Sequence, residues 1–164
     1  MASSKRDDLI AWLHDARAME SATNDKLERL IGRANDYPQL KTAMQRHLEV
    51  SRRQKEELER HLNALGSDIS TLKQTAMRVA GRIEPVVSGA TADDLPKHCI
   101  AGYSWEQFEI AAYRSMLGAV QELDMSDLQD LCERFIGEEQ EMAQAFFDAL
   151  PAITRQYLRH RAAA

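Results

Sequence analysis

The sequence predicts an all-α protein, and three observations support this. The 164 residues include only 7 glycines and 4 prolines, so few positions interrupt a helix. Apolar residues recur at intervals of three and four in four long stretches. Segments rich in Asn, Asp, Ser, Pro or Gly separate these stretches. We therefore predict a single domain over residues 1–164, with a core at roughly 5–150 and a docking tail at 151–164.

The first two predicted helices form a hairpin. The first begins near Ser4, where Asp7 and Asp8 complement the positive end of the helix dipole. It stops before Pro38, which suits the first turn of the second helix. The second helix runs to about Leu65, and Gly66 follows as the left-handed terminating residue. A short connection makes the two helices antiparallel neighbours.

A crossover leads to the second pair of helices. Ser70–Lys73 begins a shorter helix that runs to about Ile83, and Pro85 and Gly89 break it. The third long helix begins around Thr91–Asp94 and runs to about Leu123. Ser126 is predicted to cap the fourth, and Pro151 to end it. The tail after Pro151 is predicted to be a short amphipathic helix that docks on the bundle.

Two long hairpins joined by one long connection form the ferritin-like arrangement of a four-helix bundle. A generic helical bundle or a dimeric coiled coil shows the same periodicity, so periodicity alone does not decide between them. The polar residues within the apolar stripes discriminate better.

Composition and charge narrow the class of protein. The formal net charge of −5 argues against a dedicated nucleic-acid binder. Cys99 and Cys132 lack the spacing of metal ligands and are predicted to be reduced cysteines of a cytosolic protein. The N-terminus lacks the apolar core of a signal peptide, and no stretch has the length of a membrane span. We expect a cytoplasmic protein.

Each long helix carries a potential metal ligand on its apolar stripe. The candidates are Glu20 on the first helix, His47 on the second, Glu106 and Glu109 on the third, and Glu138 and Glu139 on the fourth. A buried carboxylate or imidazole is costly unless it is paired. Carboxylate-rich bundles pay this cost by binding two metal ions, and hard oxygen ligands suit Fe and Mn.

Each candidate also has a simpler structural interpretation. His47 can be a hydrogen-bonded core histidine, and Glu20 can reach the rim of the bundle. We expect one residue of the pair Glu106 and Glu109 to lie on the surface, and likewise one of Glu138 and Glu139. Sequence does not decide which. Tyr103 and Tyr113 share the stripe of Glu106, where their hydroxyls can hydrogen-bond a buried carboxylate.

The chain resembles the YciE/YciF family of bacterial ferritin-like proteins over roughly residues 7–158. The segments that carry the resemblance, matched by their order and spacing, are Asp15–Glu20, Tyr37–Leu40, His47–Glu49, Ser70–Lys73, Phe108–Arg114 and Glu138–Ala143. The resemblance implies a stress-associated bundle, often dimeric, that is ferroxidase-like with a di-metal centre. Its metal ligands map onto Glu20, His47, Glu106, Glu109 and Glu139.

The chain departs from the family pattern on the second helix. The family's acid three residues after the histidine is Val50 here, which lies about 60° around the helix from His47. Glu49 points away and is expected to be solvated. The loss removes one of about six ligands that the resemblance implies, which disfavours a site with two ions. The alternatives are two Fe or Mn ions per chain, a single ion, or none.

Three functions follow from these patterns. The first is iron oxidation at the carboxylate centre. The second is a bundle without metal or with one ion that acts as an interaction or structural protein. The third, disfavoured by the net charge, is nucleic-acid protection by a basic patch of Arg46, Arg52, Arg53 and Arg60. The crossover carries many apolar side chains between Ile69 and Val87, which predicts a homodimer.

Overall fold

A computed structural model describes residues 4–68 and 94–162 of the protein, and within these residues the secondary structure is entirely helical. The helices are α1 (Lys5–Ile31), α2 (Pro38–Ala64), α3 (Leu95–Glu122) and α4 (Ser126–Ala162). The four long helices and the all-α class predicted from the sequence are confirmed. The predicted crossover helix and the apolar residues 69–87 lie outside the described residues.

Local signals set the start of the first two helices. The Ser4 hydroxyl accepts a hydrogen bond from the Asp7 backbone N–H, and the Asp7 carboxylate accepts one from the Ser4 N–H. This capping box satisfies backbone donors that have no partner inside the helix. Pro38 is the first residue of α2, where its missing N–H costs nothing.

Two turns end helices in the same way. Gly66 has φ of 77°, its N–H donates to Asn63 O, and the Ser67 N–H donates to Leu62 O. These are the two bonds of a Schellman motif. The turn between α3 and α4 repeats them with Asp124 in the glycine position, at φ of 53°. An aspartate tolerates this left-handed conformation better than most residues with a side chain.

Helix pairing follows chain order. Helix α1 packs mainly against α2, and α3 packs mainly against α4, while α2 contacts α4 and α1 contacts α3 more sparsely. The core falls into two apolar clusters near opposite ends of the bundle. One includes Leu13, Leu58, Tyr113 and Phe135, and the other includes Leu30, Met44 and Phe146. On α1 and α4 the buried polar residues lie between the positions that these clusters occupy, as do Ser51 and Gln54 on α2, while His47 adjoins Leu48 of the second cluster.

Two predicted boundaries on α4 are wrong. Ser126 is the first residue of the helix and not its cap, and Pro151 does not end the helix, which continues to Ala162. A proline inside a helix removes one backbone hydrogen bond and clashes with the preceding turn. The burial of Ile153 offsets this cost and favours continuation of the helix. Ile153 is 1% exposed and joins the cluster around Met44 and Phe146. The tail therefore docks as an extension of α4.

Cys99 and Cys132 are both free, as the sequence predicted, and both are buried. None of the helices described for residues 4–68 and 94–162 is long and apolar enough to cross a membrane.

Candidate metal centre

A layer of buried polar side chains crosses the bundle between the two apolar clusters. Each helix contributes to it, and every member is at most 5% exposed. The layer comprises Glu20 and Thr23 on α1, His47, Ser51 and Gln54 on α2, Glu106 and Glu109 on α3, and Glu139 on α4. All five residues predicted as metal ligands therefore lie in the interior.

Three of these residues converge on one point. His47 Nε2 lies 3.2 Å from Glu106 Oε2 and 3.0 Å from Glu139 Oε2. None of the three atoms makes a hydrogen bond of good geometry with any described group, although all are buried. Ligand atoms of the three residues lie within 4.8 Å of one another. Buried polar atoms that make no hydrogen bond are uncommon, and three that have only one another as ion-pair partners among the described residues match the surroundings of a cation.

The expectation that one of Glu106 and Glu109 lies on the surface is wrong. Glu106 is 2% exposed and Glu109 is fully buried, because residues three apart share one face of a helix. On α4, one of Glu138 and Glu139 is expected on the surface, and Glu138 is partly exposed there. Glu139 is fully buried, whereas the Glu138 side chain is 21% exposed and pairs with Arg53.

Glu20 is held by two hydroxyl donors. Ser51 Oγ donates to Glu20 Oε2 at 2.6 Å, and the Tyr113 hydroxyl donates to Glu20 Oε1. The predicted hydrogen bond between a tyrosine and a buried carboxylate thus exists for Tyr113. The Tyr103 ring instead lies 5.7 Å from the Phe147 ring, centroid to centroid. With both oxygens engaged, Glu20 keeps a fixed orientation in the layer.

Glu109 is oriented by a relay that sequence reasoning missed. Trp105 Nε1 donates to Thr23 Oγ1 at 2.7 Å, and the Thr23 hydroxyl lies 2.5 Å from Glu109 Oε1. Glu109 Oε2 has no hydrogen-bond partner. Thr23 lies on the apolar stripe of α1, which is the one sequence signal for its role; its link to Trp105 depends on how the helices pack.

Gln54 was also missed as a member of the centre. Its amide nitrogen donates to Glu139 Oε1 at 2.7 Å and to Glu138 Oε2 at 2.9 Å. This leaves Glu139 Oε2 directed at His47. In metal sites, replacing a group that orients a ligand typically lowers metal affinity by about 10–100-fold.

Val50 stands beside the centre. It is partly buried, and with His47, Glu138 and Glu141 it lines a small cavity of about 150 Å³ between α2 and α4. The Glu49 side chain is 70% exposed and pairs with Arg52, as its helical phase predicted. The place next to His47 that the family pattern gives to an acid is therefore apolar here.

Burial and mutual repulsion control protonation of the layer. Burial and the charge of Glu139 raise the pKa of Glu20 to about 8, and burial raises the pKa of Glu106 to about 7. Burial and the nearby carboxylates also hold the pKa of Glu109 well above its usual range. Burial disfavours charge on His47, but Glu106 and Glu139 outweigh it and raise the pKa of His47 to about 10. Without a cation, the layer therefore retains protons near neutral pH.

The donor set fits one divalent cation better than two. His47, Glu106 and Glu139 each offer an atom with no other partner, whereas both Glu20 oxygens accept hydrogen bonds. Two carboxylates with one imidazole suit Fe(II) or Mn(II). Glu109, through its unpartnered Oε2, is the further carboxylate available to a metal ion.

The arginines of the predicted basic patch are largely neutralised. Arg52 pairs with Glu28 and Glu49, and Arg53 pairs with Glu57 and Glu138. Arg60 lies 3.9 Å from Glu57. Such an alternation of charge favours a solvated surface over a phosphate-binding one.

Solved structures share this architecture. A protein from Xanthomonas campestris pv. campestris is 26% identical, with a TM-score of 0.81 over 98% of this chain and 99% of that chain. The Escherichia coli stress protein YciF is 18% identical, with a TM-score of 0.75 over 94% and 99%. YcfI, a putative structural protein from Rhodopseudomonas palustris, is 19% identical, with a TM-score of 0.67 over 88% and 93%.

A family model also matches most of the chain. The model described as "Domain of unknown function (DUF892)" matches residues 4–159. Together with the structural match to YciF, it confirms the resemblance to the YciE/YciF family that the sequence motifs indicated. Because the match spans nearly the whole chain, the protein belongs to the DUF892 family, and its fold is the ferritin-like bundle of the YciF-like proteins.

Proposed function

We propose that this protein is a stress-associated, ferritin-like protein that binds a divalent metal ion, Fe(II) or Mn(II), in the middle of its helical bundle. One observation carries the proposal: one atom each of His47, Glu106 and Glu139 is buried, faces the other two, and makes no hydrogen bond of good geometry. A cation satisfies all three atoms and removes the repulsion between the carboxylates.

The other buried groups have supporting roles in this proposal. Gln54 orients Glu139, and Ser51 with Tyr113 orients Glu20. Glu109 can approach the ion through its unpartnered oxygen. When iron is bound, it supplies the electrons that a ferroxidase-like reaction with dioxygen requires. Because the pKa values of Glu20 and Glu109 are raised, these carboxyls can hold or release protons beside the ion.

The alternative is a metal-free bundle that acts as an interaction or structural protein. The observation that favours it is an exposed aromatic pair between α1 and α3, where Trp12 is 43% and Phe108 38% exposed at a shared groove. Aromatic side chains of this kind are common at protein interfaces. In this case the raised pKa values of Glu20 and Glu109 keep these two carboxyls protonated near neutral pH.

Metal binding can be tested with Mn(II) under anaerobic conditions, by following the loss of the free Mn(II) signal in electron paramagnetic resonance. We expect about one ion per chain. Glu139→Gln removes one ligand charge with little change in shape, so affinity should fall by at least about tenfold. The matched control is Glu138→Gln, which changes the neighbouring acid outside the three-residue cluster. No binding at millimolar Mn(II), or equal losses in both variants, contradicts the proposal.

The pH dependence of stability should reverse when metal is present. Without metal, the raised pKa values of Glu20, Glu106 and His47 mean that the folded state binds more protons than the unfolded state between about pH 4.5 and 10. Stability then falls as pH rises through this range. Because metal must displace these protons, stabilisation by Mn(II) should grow with pH.

Thermal unfolding followed by circular dichroism, with EDTA or with Mn(II), measures this reversal. Glu106→Gln cannot titrate at this position and should flatten the fall in melting temperature between pH 5 and 8. Glu133→Gln, an exposed site on α4, is the control. A pH profile of Glu106→Gln parallel to that of the wild type would show that the buried carboxyl does not govern the slope.

Val50→Glu should restore a ligand at α2, since residue 50 and His47 line the same small cavity. With Mn(II), we expect tighter binding and a higher melting temperature; at a concentration of 100 times Kd, binding stabilises the fold by about 2.7 kcal/mol. Without metal, the added carboxylate should destabilise the fold by about 1 kcal/mol, because it joins a cluster of like charges.

Val50→Gln separates charge from shape in this experiment. Gln has nearly the size of Glu but no charge. Val50→Gln should therefore lack the additional stabilisation by Mn(II) that Val50→Glu gains over the wild type. If Val50→Glu loses the same stability with and without Mn(II), the centre does not accept a ligand at this position.

We also propose a homodimer. The apolar sequence of the crossover supports it, and so do two exposed apolar residues on α4. Phe147 and Leu158 are 55% and 59% exposed, and their spacing of eleven residues places them on one face of the helix. Light scattering should give about twice the chain mass of 18.6 kDa, and Phe147→Asp should weaken the association. The control is Arg159→Asp, a change at an exposed α4 position on another side of the helix. A wild-type monomer at micromolar concentration contradicts this proposal.

A further inference from the structure

A cavity of about 340 Å³ lies next to the polar layer, between α1 and α3. Glu106 forms part of its wall, so the cavity approaches the candidate metal centre from the side opposite to Val50. Its volume is at the lower end of the roughly 300–1,000 Å³ typical of small-molecule sites. A compact ligand therefore fits better than a nucleotide or a peptide.

The inner wall of this cavity is apolar. Leu27, Leu30, Trp105 and Phe146 all line it, and each is at most 9% exposed. Gly102 is required here, because a Cβ at this position would lie 2.7 Å from Phe146 Cζ. Its missing side chain lets α3 approach the Phe146 ring, which then forms part of the wall. A ligand with an apolar body gains free energy by displacing water from such a wall.

The α1 edge of the cavity is cationic. Lys26, Arg29 and Arg33 line it, at spacings of three and four residues that place them along one side of the helix. The Lys26 ammonium lies 3.0 Å from the centroid of the Trp105 ring, and Arg33 Nη1 donates to His98 Nε2 at 2.6 Å. Arg29 is exposed. Three basic side chains thus line one edge of the cavity, and Glu106 is its single acidic lining residue among the described residues.

We propose that this cavity binds a small organic carboxylate, with the apolar body of the ligand against Phe146 and Leu30 and its carboxylate at Arg29 and Arg33. An apolar wall with a cationic edge is complementary to this class of molecule. An inorganic anion leaves the wall unused, and an organic cation is repelled by the edge. The site requires no metal ion, so it stands independently of the metal proposed above.

Octanoate is a suitable probe, and Trp105 is a suitable reporter because it lines the cavity. The chain has two tryptophans, so the conservative change Trp12→Phe leaves Trp105 as the sole fluorophore. Titration in EDTA should change its fluorescence in a saturable way. Octan-1-ol, which lacks the charge, should bind at least about fivefold more weakly. Shortening the carboxylate should weaken binding by about fourfold per methylene removed.

Variants locate the charge recognition. Arg29→Glu should weaken octanoate binding by at least about tenfold, whereas Arg114→Glu, an exposed position on α3 outside the cavity, should change it by less than about twofold. Both are surface changes, and circular dichroism verifies that they fold. Equal binding of octanoate and octanol, equal binding of acetate and octanoate, no saturable signal, or equal effects of the two variants each overturn the proposal.

Discussion

The burial of four carboxyl groups and an imidazole in the middle of the helical core is the constraint on which the rest of the structure depends. Glu20, Glu106, Glu109 and Glu139 occupy one layer with His47, where each charge is costly without a partner. The surrounding hydroxyl and amide donors neutralise part of this cost. What remains unsatisfied is concentrated in the atoms that face one another around His47.

This constraint explains why the layer is so fully connected. Helices α1, α2 and α3 each supply both an acid or imidazole and a group that orients an acid, whereas α4 supplies Glu139, which Gln54 of α2 orients. Ser51 and Gln54 take up positions on α2 that are one and two turns beyond His47. They fix the orientation of acids on other helices and limit how far those acids can move.

Helix number, pairing and most boundaries could be predicted from the sequence, because they depend on local periodicity and on capping residues such as Ser4, Pro38 and Gly66. The continuation of α4 through Pro151 could not be predicted. The burial of Ile153 against residues distant in sequence, such as Met44, offsets the local cost of a proline inside a helix. The inward direction of both Glu106 and Glu109 depends on how wide a face α3 buries, which three neighbouring helices decide. The relay from Trp105 through Thr23 joins residues 82 positions apart.

The division of the core into two apolar clusters has a consequence for its two cysteines. Cys132 belongs to one cluster and Cys99 to the other, and burial raises the pKa of each thiol to about 12. Each end of the bundle thus contains a single thiol that stays unreactive while that end is closed. Because proteins open in cooperative parts, the chemical reactivity of one thiol or the other distinguishes which end has opened.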